Sequence, residues 1–220
     1  GCFDAYVFSI ILPVLFFFID KKRKSIYMIY DIDDEVEKKL QKIYDAFSPI
    51  ICANKKWHLA SNADLNSLND IKRNAGASSL VKRNSISIDN GIPKYFITNV
   101  SVPKIPVGKQ TLYFFPERIL VVEKKQVGTI NYSDLKIEYY NSRFIESGFV
   151  PSDSEVIDHT WKYVNKKGGP DKRFKDNVQL PIVLYSCIRF YSDSGLNEKI
   201  NVSRKDLGIE LVNALKNYQM

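Results

Sequence analysis

Two histidines and three cysteines in 220 residues leave little material for a metal centre. Neither His58 nor His159 has a companion at metal-ligand spacing. Cys2, Cys52 and Cys187 are far apart, odd in number, and form no CxxC pair. That usage excludes the signature of a disulfide-stapled secreted scaffold and favours a reducing, cytosolic setting for the main domain. Glycine is also sparse, at ten residues. The segment "NAGASS", residues 74–79, is too glycine-poor for a phosphate cradle and lacks the lysine of a P-loop, so it reads as a turn, with Arg73, Lys82 and Arg83 around it. No GxSxG elbow and no HExxH helix occurs. No cofactor and no metal is therefore expected.

Apolar and basic residues are plentiful. Hydrophobic content is 45%, aromatic content 13%, and the formal net charge +7. The length fits one large domain, or one domain with appendages, and the composition supports a core. The basic balance points to anionic partners, a membrane surface or nucleic acid. Residues 5–19, "AYVFSIILPVLFFFI", carry no charge, and Lys21, Lys22, Arg23 and Lys24 follow almost at once. Fifteen residues are short of the roughly 20 that span a bilayer. The chain opens on Gly1, which fits a processed or truncated product whose apolar run began earlier. The expectation is a transmembrane or membrane-associated helix over 1–24. Lys21, Lys22, Arg23 and Lys24 would lie at the membrane surface on the cytoplasmic side. Burial of the run in a core is the competing reading.

"DIDDEVEKKLQKIYDAFSPI" has the marks of a helix. Asp33 or Asp34 can cap it, Glu35 and Glu37 suit its positive end, and Val36, Leu40, Ile43, Tyr44 and Phe47 share a face. Ser48-Pro49 is expected to end it. Trp57 is expected to anchor the following segment in the core. His58 beside it lacks an oriented acid in the local sequence and reads as structural.

From about residue 80 the pattern turns to short strands. Candidates include "SLVKRNSISI", "KYFITNVSV" (punctuated by Pro103 and Pro106), "KQTLYFF", "RILVV", "KKQVGTI", "DLKIEYY", "TWKYV" and the long "PIVLYSCIRFY". Cys187 reads as a buried residue of the last. The chain closes on a helix expected over 204–217, with Ser203 as N-cap, Asp206 completing a capping-box variant, and Leu207, Leu211, Leu215 and Tyr218 on one side. Gly208 is a helix-weakening residue there. The expected fold is α+β: a curved antiparallel β-sheet or partly open barrel, capped by the closing helix and preceded by a helical arm. The expected divisions are 1–24, an arm and connector over 25–79, and a strand-rich domain over 80–220.

The stretch "QTLYFFPERILVVEKKQVGTINYSDLKI" has paired strands around a Phe-Pro-Glu-Arg turn and a Tyr-Ser-Asp-Leu step. It resembles the pleckstrin-homology-like fold, particularly its bacterial forms. With "GPDKRFKDN" and the closing helix, residues 80–216 also resemble a poorly characterised group of bacterial membrane-linked proteins. The resemblance carries no catalytic motif. It implies a binding or scaffolding role.

The remaining feature is "WKYVNKKGGPDKRFKDN", residues 161–177, with six basic residues against Asp171 and Asp176. Its glycines allow close backbone approach, and Lys162, Lys172, Arg173 and Lys175 are the candidate anion-binding residues. The plain alternative is internal pairing of Asp171 and Asp176 with Arg173 and the lysines, with the Asn177 amide completing the network. Phe174 is expected to enter the core. Glu146, Asp153, Glu155 and Asp158 surround His159 in sequence and raise a hydrolase reading, although Asp158 and His159 are neighbours that point oppositely on a strand. Aromatic residues among basic ones raise nucleic-acid binding, without an RNP-like motif or recognition helix. The function these residues favour is a non-catalytic, membrane-associated binding or scaffolding domain. Its partners would be anionic lipids or an acidic protein segment, with nucleic acid a poorer fit.

Overall fold

A computed structural model describes residues 25–31, 33–64, 75, 77 and 79–218. Strands β1 (Ile26–Met28), β2 (Lys56–Asp64), β3 (Ser79–Ser85), β4 (Asp89–Gly91), β5 (Phe96–Thr98), β6 (Val102–Val107) and β7 (Gln110–Phe114) are followed by β8 (Arg118–Glu123) and β9 (Gln126–Asn131). The chain then adds β10 (Lys136–Ile145), β11 (Glu155–Trp161), β12 (Gln179–Tyr191) and β13 (Asn197–Val202). Helix α1 (Asp34–Cys52) precedes β2, and α2 (Ile209–Tyr218) follows β13.

Two antiparallel sheets form the body. One is the order β4-β6-β7-β8-β9, and the other is β10-β12-β13-β2-β3 with β11 also paired to β12. The result is the expected α+β fold, with a curved, unclosed antiparallel sheet and two helices. Period-2 alternation explains how the sheets serve two faces. On β12, Ile188 and Phe190 enter the main core, while Val183 and Tyr185 face a smaller cluster with Trp57. The main core gathers Ile43, Phe47 and Ile50 of α1 and Leu211 and Leu215 of α2 with strand residues. Phe114 links the layers, its ring centroid 4.8 Å from Phe47 and 5.8 Å from Phe190.

A second apolar layer covers the other face of the β4–β9 sheet. Phe96, Val102, Phe115 and Leu120 are buried there, with Met28, Tyr30 and Tyr113 against them. Strands β1 and β5 supply its lid as a two-stranded parallel ribbon, in which Ile26, Tyr27 and Met28 pair with Phe96, Ile97 and Thr98.

Several local expectations change. Pro49 lies inside α1, which continues to Cys52. Proline removes one backbone donor, but burial of Ile50 keeps the last turn in place. Asp33 caps the helix, its carboxylate accepting from the Glu35 amide at 2.9 Å. Strand β6 runs through Pro103 and Pro106 rather than stopping at them, with Pro106 opposite Thr111. Strands β2 and β13 occupy polar stretches whose alternation is too weak to announce a strand. They are held by pairing to each other through His58↔Ile200 and Trp57↔Asn201.

The closing helix starts at Ile209, later than expected. Ser203 does not cap it. Its hydroxyl accepts from the Lys55 amide at 3.0 Å and donates to Asp153 at 3.0 Å. Asp206 adopts φ +65° in the preceding turn and accepts bonds from Tyr139 and Asn141. Gly208 lies outside the helix, and a Cβ there would sit 2.1 Å from Cδ2 of Tyr139.

The expectation of a transmembrane helix is corrected. Among the described residues, no helix is long and apolar enough to cross a membrane. The nearest in length, α1, has 19 residues but carries Asp34, Glu35, Glu37 and several lysines. The run 5–19, the cluster Lys21, Lys22, Arg23 and Lys24, and residues 74, 76 and 78 lie outside the described residues.

Candidate functional site

The 161–177 loop is built from its own backbone outward. It leaves β11 at Trp161 and returns to β12 at Gln179. Lys162 donates its amide to the Val178 carbonyl at 2.9 Å and accepts from the Ala75 amide at 3.1 Å, which ties both ends down. The Asn177 side chain grips Tyr163 twice, accepting from its amide at 2.9 Å and donating to its carbonyl at 2.7 Å.

Within this clamp a tight turn forms. The Asn165 carboxamide accepts from the amides of Lys167 and Gly169 at 2.8 and 3.1 Å. Val164 and Pro170 form an isolated bridge, and Gly168 at φ +83° supplies a conformation that other residues adopt at a cost. Phe174 does not enter the core. Its ring stacks on Tyr163 with centroids 4.1 Å apart and planes at 16°, outside the buried clusters. An aromatic residue that finds a flat partner at the surface has no need to displace core atoms.

The charges divide into two kinds. Asp171 is buried, and its carboxylate accepts from the Arg173 guanidinium at 2.6 Å. The internal pairing read as the plain alternative is thus present for that one pair. Lys172 and Lys175 are exposed, as are Lys166 and Lys167, with no ion-pair partner among the described residues. Lys162 is exposed with its Nζ 5.4 Å from the Tyr163 ring centroid. Lys162, Lys172, Arg173 and Lys175 therefore share one hydrogen-bonded loop, and they are not gathered in an enclosed cavity among the described residues.

The acids near His159 go elsewhere. Asp153 accepts from the Asn54 amide and the Ser203 hydroxyl. Glu155 pairs with Lys205, and Asp158 with Arg143 at 3.8 Å. His159 is exposed on β11, with its own amide bonded to the Asp158 carboxylate at 2.8 Å.

Glu146 belongs to a different arrangement. It is 3% exposed, and both its oxygens accept from Nη2 of Arg83, at 2.8 and 2.7 Å. The Arg83 guanidinium lies between two rings, 4.5 Å from Trp57 and 4.4 Å from Phe144. Tyr185 donates to the same carboxylate at 3.0 Å, and burial with the Glu146 charge pushes its hydroxyl up.

A second pairing escaped the sequence reading. The His58 Nε2 lies 2.6 Å from Glu198 Oε2, so the histidine does have an oriented acid. The two are 140 positions apart and meet because β13 pairs with β2. Nothing in local spacing announces that contact. Its imidazole is buried, and Nδ1 has no partner among the described residues. The pair joins β2 to β13. Among the described residues, no group of three metal-ligating side chains comes together.

No family model, no curated protein and no solved structure matches this chain.

Proposed function

We propose that this chain is a non-catalytic binding module whose 161–177 loop docks on an anionic membrane surface. The observation that carries the reading is the contrast within the loop. Its backbone is fixed by Asn165, Asn177 and the Tyr163–Phe174 stack, while Lys162, Lys166, Lys167, Lys172 and Lys175 project without ion-pair partners among the described residues. An ordered frame lowers the entropy lost on binding, and exposed lysines contribute about 1 kcal/mol each near an anionic bilayer. The bilayer is favoured over an enclosed ligand because the lysines are all exposed to solvent.

The test compares affinity for vesicles of pure phosphatidylcholine with affinity for vesicles containing phosphatidylserine. The gain from neutral to anionic lipid isolates the electrostatic part from any apolar contribution elsewhere in the chain. The variant Lys167→Ala/Lys172→Ala/Lys175→Ala, which leaves the Arg173–Asp171 pair in place, is expected to lose tenfold or more of that gain and to retain the wild-type circular dichroism. An unchanged gain in the folded variant refutes the reading. A variant that binds vesicles normally but no longer captures an acidic peptide would point instead to a protein partner.

A further inference from the structure

The ribbon of β1 and β5 is apolar on both faces, and only one face has a partner among the described residues. Inward, Phe96, Met28 and Tyr30 lie on the second core layer. Outward, alternation presents Tyr27 and Ile97, which are directly paired, with Ile29 one step beyond on the same face. Tyr27 is 58% exposed, Ile29 68% and Ile97 40%. Ile92 and Tyr95, in the segment leading into β5, are exposed as well. Single exposed apolar residues are ordinary, but Tyr27, Ile29 and Ile97 together on one face of a short ribbon form an apolar surface that asks for an occupant.

Tyr95 sharpens the point. It holds φ +70°, a conformation that glycine adopts without strain and a bulky residue rarely does. Its carbonyl accepts the Ile26 amide at 2.8 Å, and Nζ of Lys94 lies 5.0 Å from its ring centroid.

We propose that the outer face of this ribbon inserts at the headgroup–acyl boundary of an anionic bilayer. The proposal rests on the membrane reading of the loop and adds a second, apolar contact to it. Three observations favour lipid. Tyrosine, isoleucine and lysine together are the chemistry of that boundary, where amphipathic rings and long cationic stems place one end in each medium. Sequence continuity is the second. Ile26 stands two positions after Lys24 in the basic cluster, and the uncharged run 5–19 precedes it. At about 3.3 Å per residue, the eight positions from Ile19 to Tyr27 reach no more than about 26 Å, so any lipid contact of that run holds the ribbon close to the same surface. Size is the third. The outward face offers three side chains, Tyr27, Ile29 and Ile97, against the roughly 20–30 residues a side of a stable protein interface.

Full-length protein carrying Ile29→Trp is mixed with phosphatidylserine-containing vesicles whose acyl chains are brominated, with Val127→Trp on β9 as the control. The added tryptophan's emission, taken as the difference from wild type, is expected to fall at least twofold for Ile29→Trp and to hold for Val127→Trp. Vesicle-bound protein with an unquenched Ile29→Trp overturns the proposal and leaves the loop reading standing. No binding to these vesicles overturns both. A concentration-dependent blue shift of Ile29→Trp without lipid assigns the face to a second copy of the chain and also overturns it.

Discussion

Gly208 shows how a single residue's role depends on its position relative to a helix. In sequence it looks like a weak point inside the closing helix. In the fold it is the contact at which the chain passes the Tyr139 ring, and an added methyl would meet that ring at 2.1 Å. The ring cannot swing away freely, because its hydroxyl bonds Asn141 at 2.7 Å and Asp206 at 3.0 Å. Gly208→Ala is therefore expected to lower stability by about 1–3 kcal/mol in urea unfolding, despite alanine's better helix propensity. A stabilised variant would remove the steric account. Glu146 belongs to the same scale. Glu146→Gln leaves the Arg83 guanidinium between Trp57 and Phe144 without its carboxylate, and breaking such a pair from one side costs about 3 kcal/mol. Arg83→Met/Glu146→Leu should recover much of that loss by replacing both charges together. A double variant as unstable as the single one would show that the charges themselves hold the cluster. None of these contacts was legible in sequence, since Arg83 and Glu146 are 63 positions apart and only the strand pairing joins them.

The helices carry the elements' share of the account. Both announced themselves by periodicity, because a 3.6-residue stripe is a local signal. Leu211 and Leu215 are fully buried as that stripe requires. Leu211→Ala is expected to cost about 2–5 kcal/mol, measured as a fall in denaturant midpoint with an unchanged slope. A loss below 1 kcal/mol would mean that α2 is only loosely docked. Element ends were less legible. Pro49 did not stop α1, since Ile50 beyond it is buried, and Ser203 did not start α2, since Lys55 and Asp153 take its hydroxyl. Strands rich in β-branched and aromatic residues, such as β8 and β12, could be read directly. "NEKINV" of β13 and "KWHLASNAD" of β2 could not, because their place in the sheet is set by neighbours from distant parts of the chain.

For the whole molecule, tyrosine burial predicts the alkaline limit of the fold. Desolvation pushes the Tyr30 hydroxyl up to about 12, and raises Tyr44 and Tyr185 as well. Unfolded tyrosine releases its proton near 10. The folded state thus holds more protons than the unfolded state above that value. The resulting stabilisation is complete below pH 10 and is lost as pH rises toward 12. Tyrosinate absorbance and circular dichroism should change together in that window, whereas full ionisation near pH 10 with an intact fold would contradict the burial. At this scale the fold class was legible, because hairpin signals and amphipathic helices repeat along the chain. The basic loop was legible as composition, while its frame was not: Asn165 and Asn177 act through hydrogen bonds that charge counting does not see. The central claim is that this framed loop supplies charge-dependent binding to an anionic bilayer. Its most direct test is the salt dependence of vesicle affinity for wild type and for Lys167→Ala/Lys172→Ala/Lys175→Ala, both shown to be folded. Exposed attraction is screened over roughly 8–10 Å at ordinary ionic strength, so wild-type affinity should fall steeply with salt and the variant's should fall less. Equal salt dependence for the two proteins would contradict the claim.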